Sequence, residues 1–167
     1  MWVVGRSLAD EASTAGDAQR QDLFGRSALN RYYYAAFLEV RSLLRAVNSR
    51  WSVMGHADMP DLLTGKFFAV FANQLAAQVR GNQLAPGDAS KTRRQVRQAL
   101  QALADLLRQA RETRRIADYE PEIRMELRGG QLRLRETSLA AAREWERRVQ
   151  FLVGTVRREY RHAAIIS

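Results

Sequence analysis

The sequence predicts an all-α protein, an up-and-down bundle of four to five helices with a small β-hairpin insertion near residues 124–134. Apolar residues recur every three to four positions through most of the chain, which is the spacing of one buried helix face. Three prolines, Pro60, Pro86 and Pro121, lie between these apolar-periodic blocks. Because proline interrupts helices, these positions are typical of the connections in a helical bundle.

The first two helices are predicted over about residues 3–15 and 27–48. The second carries the most apolar face of the chain, and Ser27 stands where its hydroxyl can cap free backbone N–H groups. The residues of that face are Leu29, Tyr33, Ala36, Phe37, Val40, Leu43, Leu44 and Val47. Small alanines between large aromatics let a second helix approach closely, so we expect this helix in the middle of its domain.

Four further elements follow along the chain. A third helix is predicted from Pro60, in its first turn, to Gly81, and a fourth over about residues 89–116, with a helix break at residues 117–121. Residues 125–134 then alternate apolar and polar side chains around a Gly-Gly pair, which predicts a β-hairpin. The last helix is predicted to start near residues 137–138 and to use Tyr160 in its core.

The length and composition limit the classes of protein and site. A chain of 167 residues can bury its own core, so residues 1–167 are predicted to form a single domain. There is no cysteine, and His56 and His162 are far apart in sequence, so we expect no disulfide, no metal and no cofactor. No apolar run reaches the length of a membrane span, and Gly5-Arg6 interrupts the apolar N-terminus. We therefore expect a cytoplasmic protein that does not bind membranes.

The formal net charge is +9 and the sequence pI is near 10.9, which favours a polyanionic partner such as RNA or DNA. Of the 27 basic residues only Lys66 and Lys91 are lysines. Arginine forms bidentate contacts with phosphate and stacks on bases, so the excess suits nucleic acid. A GC-rich genome produces the same excess of arginine over lysine, and the sequence leaves both explanations open.

The fourth predicted helix carries a row of arginines beside its apolar stripe. At about 100° per residue, this row consists of Arg93, Arg97, Arg108, Arg111 and Arg115. Long side chains at such positions commonly extend from the edge of a core to solvent. The same row of arginines could also bind the phosphates of a nucleic acid, and the sequence leaves both interpretations open.

Three consecutive tyrosines, Tyr32, Tyr33 and Tyr34, follow Arg31 on the second helix. Because neighbouring helical positions diverge by about 100°, the three rings cannot all face one core. At least one is therefore expected at a subunit interface or in a binding cleft.

Two segments together resemble a known family. The first reads Arg31-Tyr32-Tyr33-Tyr34-Ala35-Ala36-Phe37, and the second, after a Gly55-His56 turn and a long helix, reads Arg115-Ile116-Ala117-Asp118-Tyr119-Glu120-Pro121. This pair resembles the HEPN superfamily, in particular its prokaryotic "YYAAF … ADY" branch. The resemblance implies a helical bundle that dimerises around the helices carrying the motifs. Members include metal-independent endoribonucleases of toxin–antitoxin and defence systems, and non-catalytic modules that accompany minimal nucleotidyltransferases or bind nucleotides and RNA.

The resemblance also implies candidate catalytic residues. Catalytic members carry an R-x4–6-H motif, in which arginine steadies the phosphate and histidine assists proton transfer. At the equivalent position this chain has Arg111 and Arg115 but Asp118 in place of the histidine. A literal R-x4-H occurs at Arg157 and His162 near the end of the last helix, where a continuous helix would point the two side chains about 140° apart.

The sequence therefore predicts a HEPN-like domain that binds RNA or nucleotides as a non-catalytic or partner-dependent module of a defence or toxin–antitoxin type system. A metal-independent endoribonuclease and a helical scaffold without nucleic-acid binding are the alternatives. Expected partners are a second copy in a homodimer, RNA or a nucleotide, and a nucleotidyltransferase or larger effector. The residues predicted for RNA or nucleotide binding or for an interface are Arg31, Tyr32, Tyr34, Arg93, Arg97, Arg108 and Tyr119.

Overall fold

The computed structural model describes residues 1–166 and confirms a mostly helical bundle with a small antiparallel sheet. A 3-10 helix, Ser49–Val53, follows the long helix that ends at Val47. A π-helical turn, Leu63–Phe67, joins the short helix before it to the helix after it, so that residues 59–80 are continuously helical. The helices are α1 (Trp2–Thr14), α2 (Ala18–Val47), α3 (Met59–Leu62), α4 (Phe68–Arg80), α5 (Pro86–Tyr119) and α6 (Leu139–His162). The strands are β1 (Glu126–Arg128), β2 (Gln131–Leu134) and β3 (Thr137–Ser138).

The start of α2 differs from the prediction. The helix begins at Ala18, not near Ser27, and Ser27 lies in its interior, so the prediction that Ser27 caps it is wrong. The cap is Asp17, whose Oδ1 accepts a hydrogen bond of 2.8 Å from the backbone N–H of Arg20. The polar residues after Asp17 are helical because Asp22 and Arg26 bind backbone groups elsewhere in the fold.

The end of α5 also differs from the prediction. Residues 117–119 were expected to break the helix, but they form its last turn, and the helix ends at Tyr119 just before Glu120 and Pro121. The backbone N–H of Glu120 still bonds the carbonyl of Ile116 at 3.1 Å, so the helical pattern runs up to the proline. Asp118 is therefore held on a helix and not in a loop.

The predicted hairpin is present. Strands β1 and β2 pair antiparallel, and Arg128 lies opposite Gln131 on either side of the two-residue turn. The turn residues Gly129 and Gly130 have φ values of +58° and +75°, which glycine adopts without strain. A third strand, β3, pairs with β2 and was not predicted. Its last residue, Ser138, then caps α6, because its Oγ accepts the Ala141 N–H at 3.0 Å.

The chain divides into two compact units. The first contains Met1–Leu38 and Leu107–Arg148, which comprise α1, the sheet and parts of α2, α5 and α6. In its core, Gly5 on α1 allows close approach to the Tyr32 ring on α2, since a Cβ at Gly5 would lie 2.9 Å from that ring. The largest fully buried side chains of this unit are Leu29, Tyr32, Tyr33 and Trp145.

The second unit contains Glu39–Leu106 and residues 149–166. Its core is built around Tyr160 on α6, whose ring stacks on Phe67 and Phe71 at centroid distances of 4.7 Å and 4.9 Å. The Tyr160 hydroxyl donates to the Phe67 carbonyl at 2.8 Å. The π-helical turn allows the consecutive residues Phe67 and Phe68 both to be buried.

Within residues 1–166, none of the helices combines the length and the apolar character that crossing a membrane requires.

Candidate functional site

An open cleft of about 570 Å³ lies in the first unit, where the N-terminal half of α2 meets the last turn of α5 and the segment that follows it. Side chains of α2 at positions 19, 22, 23, 26, 27, 30 and 31 form one wall, because these positions share one face of a helix. The other lining residues are Ala117, Asp118, Pro121 and Arg124. The cleft thus joins the helix of the tyrosine motif to the segment that ends in Asp118-Tyr119.

Arg26 holds the end of α5 in place. Its guanidinium donates to the backbone carbonyls of Ile116 at 3.3 Å, Glu120 at 3.2 Å and Ile123. The carbonyls at a helix C-terminus lack partners within the helix and carry partial negative charge, so a cation is well placed there. Asp22 anchors the next segment by accepting the Met125 N–H at 2.8 Å. Arg26 and Asp22 therefore fix the position of the backbone segments that form the cleft.

The Asp118 carboxylate contacts two side chains, one on α2 and one on α5. The side-chain amide of Asn30 donates to Asp118 Oδ1 at 2.8 Å and to Oδ2 at 3.1 Å. Arg114, one turn earlier on α5, places its Nε 2.6 Å from Oδ2 in an ion pair. Burial by itself lowers the pKa of Arg114, but the Asp118 carboxylate and Tyr34 act against it and the net shift is upward. Arg114 therefore keeps its charge.

Arg114 also lies between two tyrosines. Its Cζ is 5.7 Å from the centre of the Tyr34 ring and 5.3 Å from that of Tyr119, which is within the range of cation–π attraction. Tyr34 is partly exposed, while Tyr119 is 66% exposed. The structure thus brings the two predicted residues Tyr34 and Tyr119 together around an arginine that sequence reasoning did not single out.

Two cations at the cleft have no acidic partner. The side chains of Arg31 and Arg124 line it, and neither side chain forms a hydrogen bond or an ion pair within residues 1–166. The other charged residues of the cleft are offset, because Asp22 lies 4.0 Å from Arg26 and Asp118 is paired with Arg114. Arg31 and Arg124 are therefore the charges available to an incoming anion.

The other predicted catalytic residues of this unit lie along α5. Arg115 is hydrogen-bonded to Glu112 and forms a further ion pair with Glu120. These bonds raise the pKa of Arg115, and the same bond from Arg115 lowers the pKa of Glu112. Arg111 is exposed on the helix surface. Arg108 is exposed on the same helix, and neither arginine lines the cleft.

The remaining predicted residues lie in the second unit. Arg97 and Arg93 place their Cζ atoms 4.8 Å and 5.9 Å from the centre of the Phe68 ring, so both cover an aromatic side chain. Arg157 donates to the Ser42 hydroxyl at 3.0 Å. His162 is 70% exposed, and α6 stays helical up to it, so Arg157 and His162 point away from each other as the helical spacing predicts.

Tyr32 is fully buried in the first unit, with its ring centre 6.3 Å from that of Trp2. Burial raises the pKa of its hydroxyl. Of the two tyrosines predicted for a surface role on α2, Tyr34 alone reaches solvent.

Sequence reasoning missed Asn30, Arg114 and Arg124 as site residues. The spacing of Arg114 and Asp118, four positions apart on a helix, is a detectable signal for an ion pair. Asn30 and Arg124 give no such local signal, because their positions at the cleft follow from contacts between distant segments.

Among the residues that the structure describes, no group of three or more histidine, aspartate or glutamate side chains is arranged to hold a metal ion. No protein-family model, no curated protein and no solved structure matches this chain, so the resemblance to the HEPN superfamily stays a prediction.

Proposed function

We propose that this chain is a HEPN-like module that binds single-stranded RNA or nucleotide phosphates at the first-unit cleft without cutting them. The observation that carries the proposal is the pair Arg31 and Arg124, two uncompensated arginines on a cleft whose other charges are paired. Arginine binds phosphate through parallel N–H donors, so these residues suit a phosphate ester.

The net positive charge of the protein also favours a ligand that carries phosphate groups. The formal charge of +9 attracts polyanions from a distance, and the cleft gives that attraction a place to act. Tyr119, 66% exposed beside Arg114, offers a ring on which an unpaired base can stack. Phosphate contacts at Arg31 and Arg124 with stacking at Tyr119 are typical of binding with little sequence preference.

The chemistry of the cleft supports binding over cleavage. A metal-independent ribonuclease needs a group that takes the proton from the RNA 2′-hydroxyl, and no histidine lines the cleft among residues 1–166. Asp118 is the acidic candidate, but its two oxygens already accept from Asn30 and contact Arg114. These contacts hold both oxygens within the protein, so taking the proton would cost Asp118 part of its bonding to Asn30 and Arg114.

The proposal is tested by measuring the affinity for fluorescently labelled single-stranded RNA at low salt. We expect Arg31→Ala/Arg124→Ala to bind roughly tenfold more weakly than the unmodified chain, since two phosphate contacts are lost. The matched control is Arg45→Ala/Arg80→Ala, which removes two exposed arginines of the second unit that have no bonded partner within residues 1–166. If both double variants weaken binding equally, the cleft is not the binding site.

The alternative functions predict different results when the same purified proteins are mixed with RNA. If the unmodified chain binds neither RNA nor a free nucleotide, only the helical scaffold is left. Cleavage of RNA in EDTA that is lost in Asp118→Asn would make the chain a ribonuclease acting at the cleft. Cleavage that is lost only in His162→Ala would move the activity to the end of α6. If the cleft binds RNA without cutting it, RNA stays intact with the unmodified chain and with both single variants.

A further inference from the structure

Strand β1 is an open edge of the sheet. The strand order is β1-β2-β3, so within residues 1–166 β1 has a neighbouring strand on one side only. Leu127 in its centre is 67% exposed, although Leu132 opposite it on β2 is 6% exposed and Leu134 is 1% exposed. These three side chains share one face of the sheet, because Leu127 pairs with Leu132 and alternate residues of a strand point to the same face. The apolar face of the sheet is thus left uncovered at its edge.

The backbone groups of Leu127 point away from the sheet. The two-residue turn closes on the pair Arg128 and Gln131, which makes this pair hydrogen-bonded in both directions. Bonded and non-bonded pairs alternate along an antiparallel ladder, so Glu126 and Arg128 bond to β2 and Leu127 does not. The N–H and C=O of Leu127 therefore face outward, as one donor and one acceptor at the edge.

The side chains that flank Leu127 have opposite charges. Glu126 and Arg128 lie on the other face of the strand and form an ion pair with each other at 2.6 Å. If two β1 strands pair antiparallel about Leu127, Glu126 of each lies opposite Arg128 of the partner subunit. A parallel, in-register pairing would instead place Glu126 opposite Glu126 of the partner subunit, and like charges directly opposite are unfavourable. The strand is self-complementary in one arrangement only.

We propose that β1 is a self-association edge, at which a second copy of this chain adds its own β1 antiparallel about a two-fold axis through Leu127. The two Leu127 residues then exchange N–H···O=C bonds, and their side chains cover each other on the apolar face. Two cross-strand Glu126–Arg128 pairs form on the opposite face. The result is one continuous six-stranded sheet shared by two chains.

The size of the edge sets the strength of the contact. Three residues a side are far fewer than the 20–30 residues a side of a standard stable interface, so the association is weak and depends on concentration. Charged residues on a short strand also protect an edge from unspecific pairing. Here the two charges permit the two-fold pairing and disfavour the others, which limits association to a closed dimer.

The pairing has a consequence for the cleft, and this one step rests on the proposed function. Arg124 precedes Leu127 by three residues, or roughly 10 Å of extended chain. Two-fold pairing at Leu127 therefore holds the two Arg124 residues within about 25 Å of each other. An RNA long enough to contact both clefts would bind more tightly than a single nucleotide, without any new contact.

The absence of cysteine from the sequence allows a direct test by cross-linking. In Leu127→Cys the two thiols lie on opposing residues of an antiparallel pair, whose Cα atoms are about 5.5 Å apart and within disulfide range. We expect mild oxidation to give a covalent dimer that reducing agent reverses. Leu23→Cys, at a site 60% exposed in the same unit, is the matched control and should stay largely monomeric. Equal cross-linking of both variants, or none at Leu127→Cys, would overturn the proposal.

Charge reversal provides a second test, by sedimentation of protein without RNA over a wide concentration range. Glu126→Arg alone and Arg128→Glu alone each place like charges opposite one another twice, and we expect each to weaken dimerisation roughly tenfold or more. The double change Glu126→Arg/Arg128→Glu restores opposite charges and should restore dimerisation. A chain that is monomeric at every concentration, or a dimer unaffected by either single change, contradicts the pairing. Because no RNA is present, either result leaves the RNA-binding proposal to its own test.

Discussion

Asn30 and Asp118 are joined by two hydrogen bonds, because the Asn30 amide donates to both carboxylate oxygens at 2.8 Å and 3.1 Å. The contact links the start of the tyrosine motif on α2 to the last turn of α5, 88 positions further along the chain. It uses an amide and not a cation, and among residues 1–166 the ion-pair partner of Asp118 is Arg114. Arg31 is thereby left available to a ligand.

This contact predicts how Asn30→Asp behaves. The variant places a second carboxylate within hydrogen-bond distance of Asp118, and two such groups cannot both stay charged without repulsion. We expect a loss of about 1–2 kcal/mol at neutral pH, which is recovered as the pH falls and one of the two carboxyls takes up a proton. The measurement is urea unfolding across the acidic range. Asn30→Ala is the control, because it loses the same bonds without the added pH dependence; parallel pH profiles would contradict the expectation.

Arg26 is expected to matter for stability and not for ligand binding. Its side chain is 13% exposed and donates to three backbone carbonyls at the end of α5 and beyond it. Arg26→Ala removes these three charged hydrogen bonds, although the Ile116 and Glu120 carbonyls keep a backbone N–H partner. The loss should cost about 2–3 kcal/mol of unfolding free energy. Arg31→Ala, on the same helix but exposed, should change stability by no more than about 0.5 kcal/mol. Equal stability of the two variants would refute the capping role.

Two glycines in helices should respond to alanine with opposite signs. At Gly5 a Cβ would lie 2.9 Å from the buried Tyr32 ring, so Gly5→Ala should destabilise the protein by about 1–3 kcal/mol. At Gly154 on α6, no atom of residues 1–166 outside the neighbouring backbone of the same helix lies within 4 Å of the added Cβ. Gly154→Ala should therefore stabilise by up to about 1 kcal/mol through helix propensity. Thermal or denaturant unfolding decides the signs. A stabilising Gly5→Ala would show that α1 packs less closely on α2.

The protein should lose stability in alkali through Tyr33. Burial raises the pKa of Tyr33 to about 12, against 10.0 for a free tyrosine. The folded state therefore keeps a proton that the unfolded state releases, and the stability present below pH 10 is lost as the pH rises towards 12. The difference corresponds to roughly 2–3 kcal/mol. In urea titrations, the unfolding free energy of Tyr33→Phe should depend less on pH over this range. An unchanged pH dependence would show that burial does not raise the pKa of Tyr33.

The sequence was sufficient for the elements whose pattern is local. The apolar periodicity of α2 through Tyr33 and the Gly129-Gly130 turn both lie within one element, and both are present as predicted. The first turns of α2 were missed because residues 19–22 are polar, and polar residues without an apolar stripe resemble a loop. Those residues are helical because Asp22 and Arg26 bind the segment after α5, which a reading of local pattern does not reveal.

The site was predicted in part for the same reason. Arg31, Tyr34, Asp118 and Tyr119 are near one another in the first unit, as the pairing of the two motifs suggested. Asn30, which bonds Asp118, and Arg124, which lines the same cleft, reach the site through contacts between segments far apart in sequence. The resemblance to the HEPN superfamily suggested that these segments meet, whereas the ion pairs and hydrogen bonds within the cleft follow from the fold.

The most direct test of RNA binding at the cleft is the salt dependence of the affinity for single-stranded RNA. The slope of log Kd against log salt concentration counts the phosphates that the protein neutralises, at about 0.7 per contact. If Arg31 and Arg124 each bind a phosphate, Arg31→Ala/Arg124→Ala lowers the magnitude of this slope by about 1.4, since two contacts are lost. Arg45→Ala/Arg80→Ala should leave it unchanged. Identical slopes for the unmodified chain and the cleft variant would contradict phosphate binding at Arg31 and Arg124.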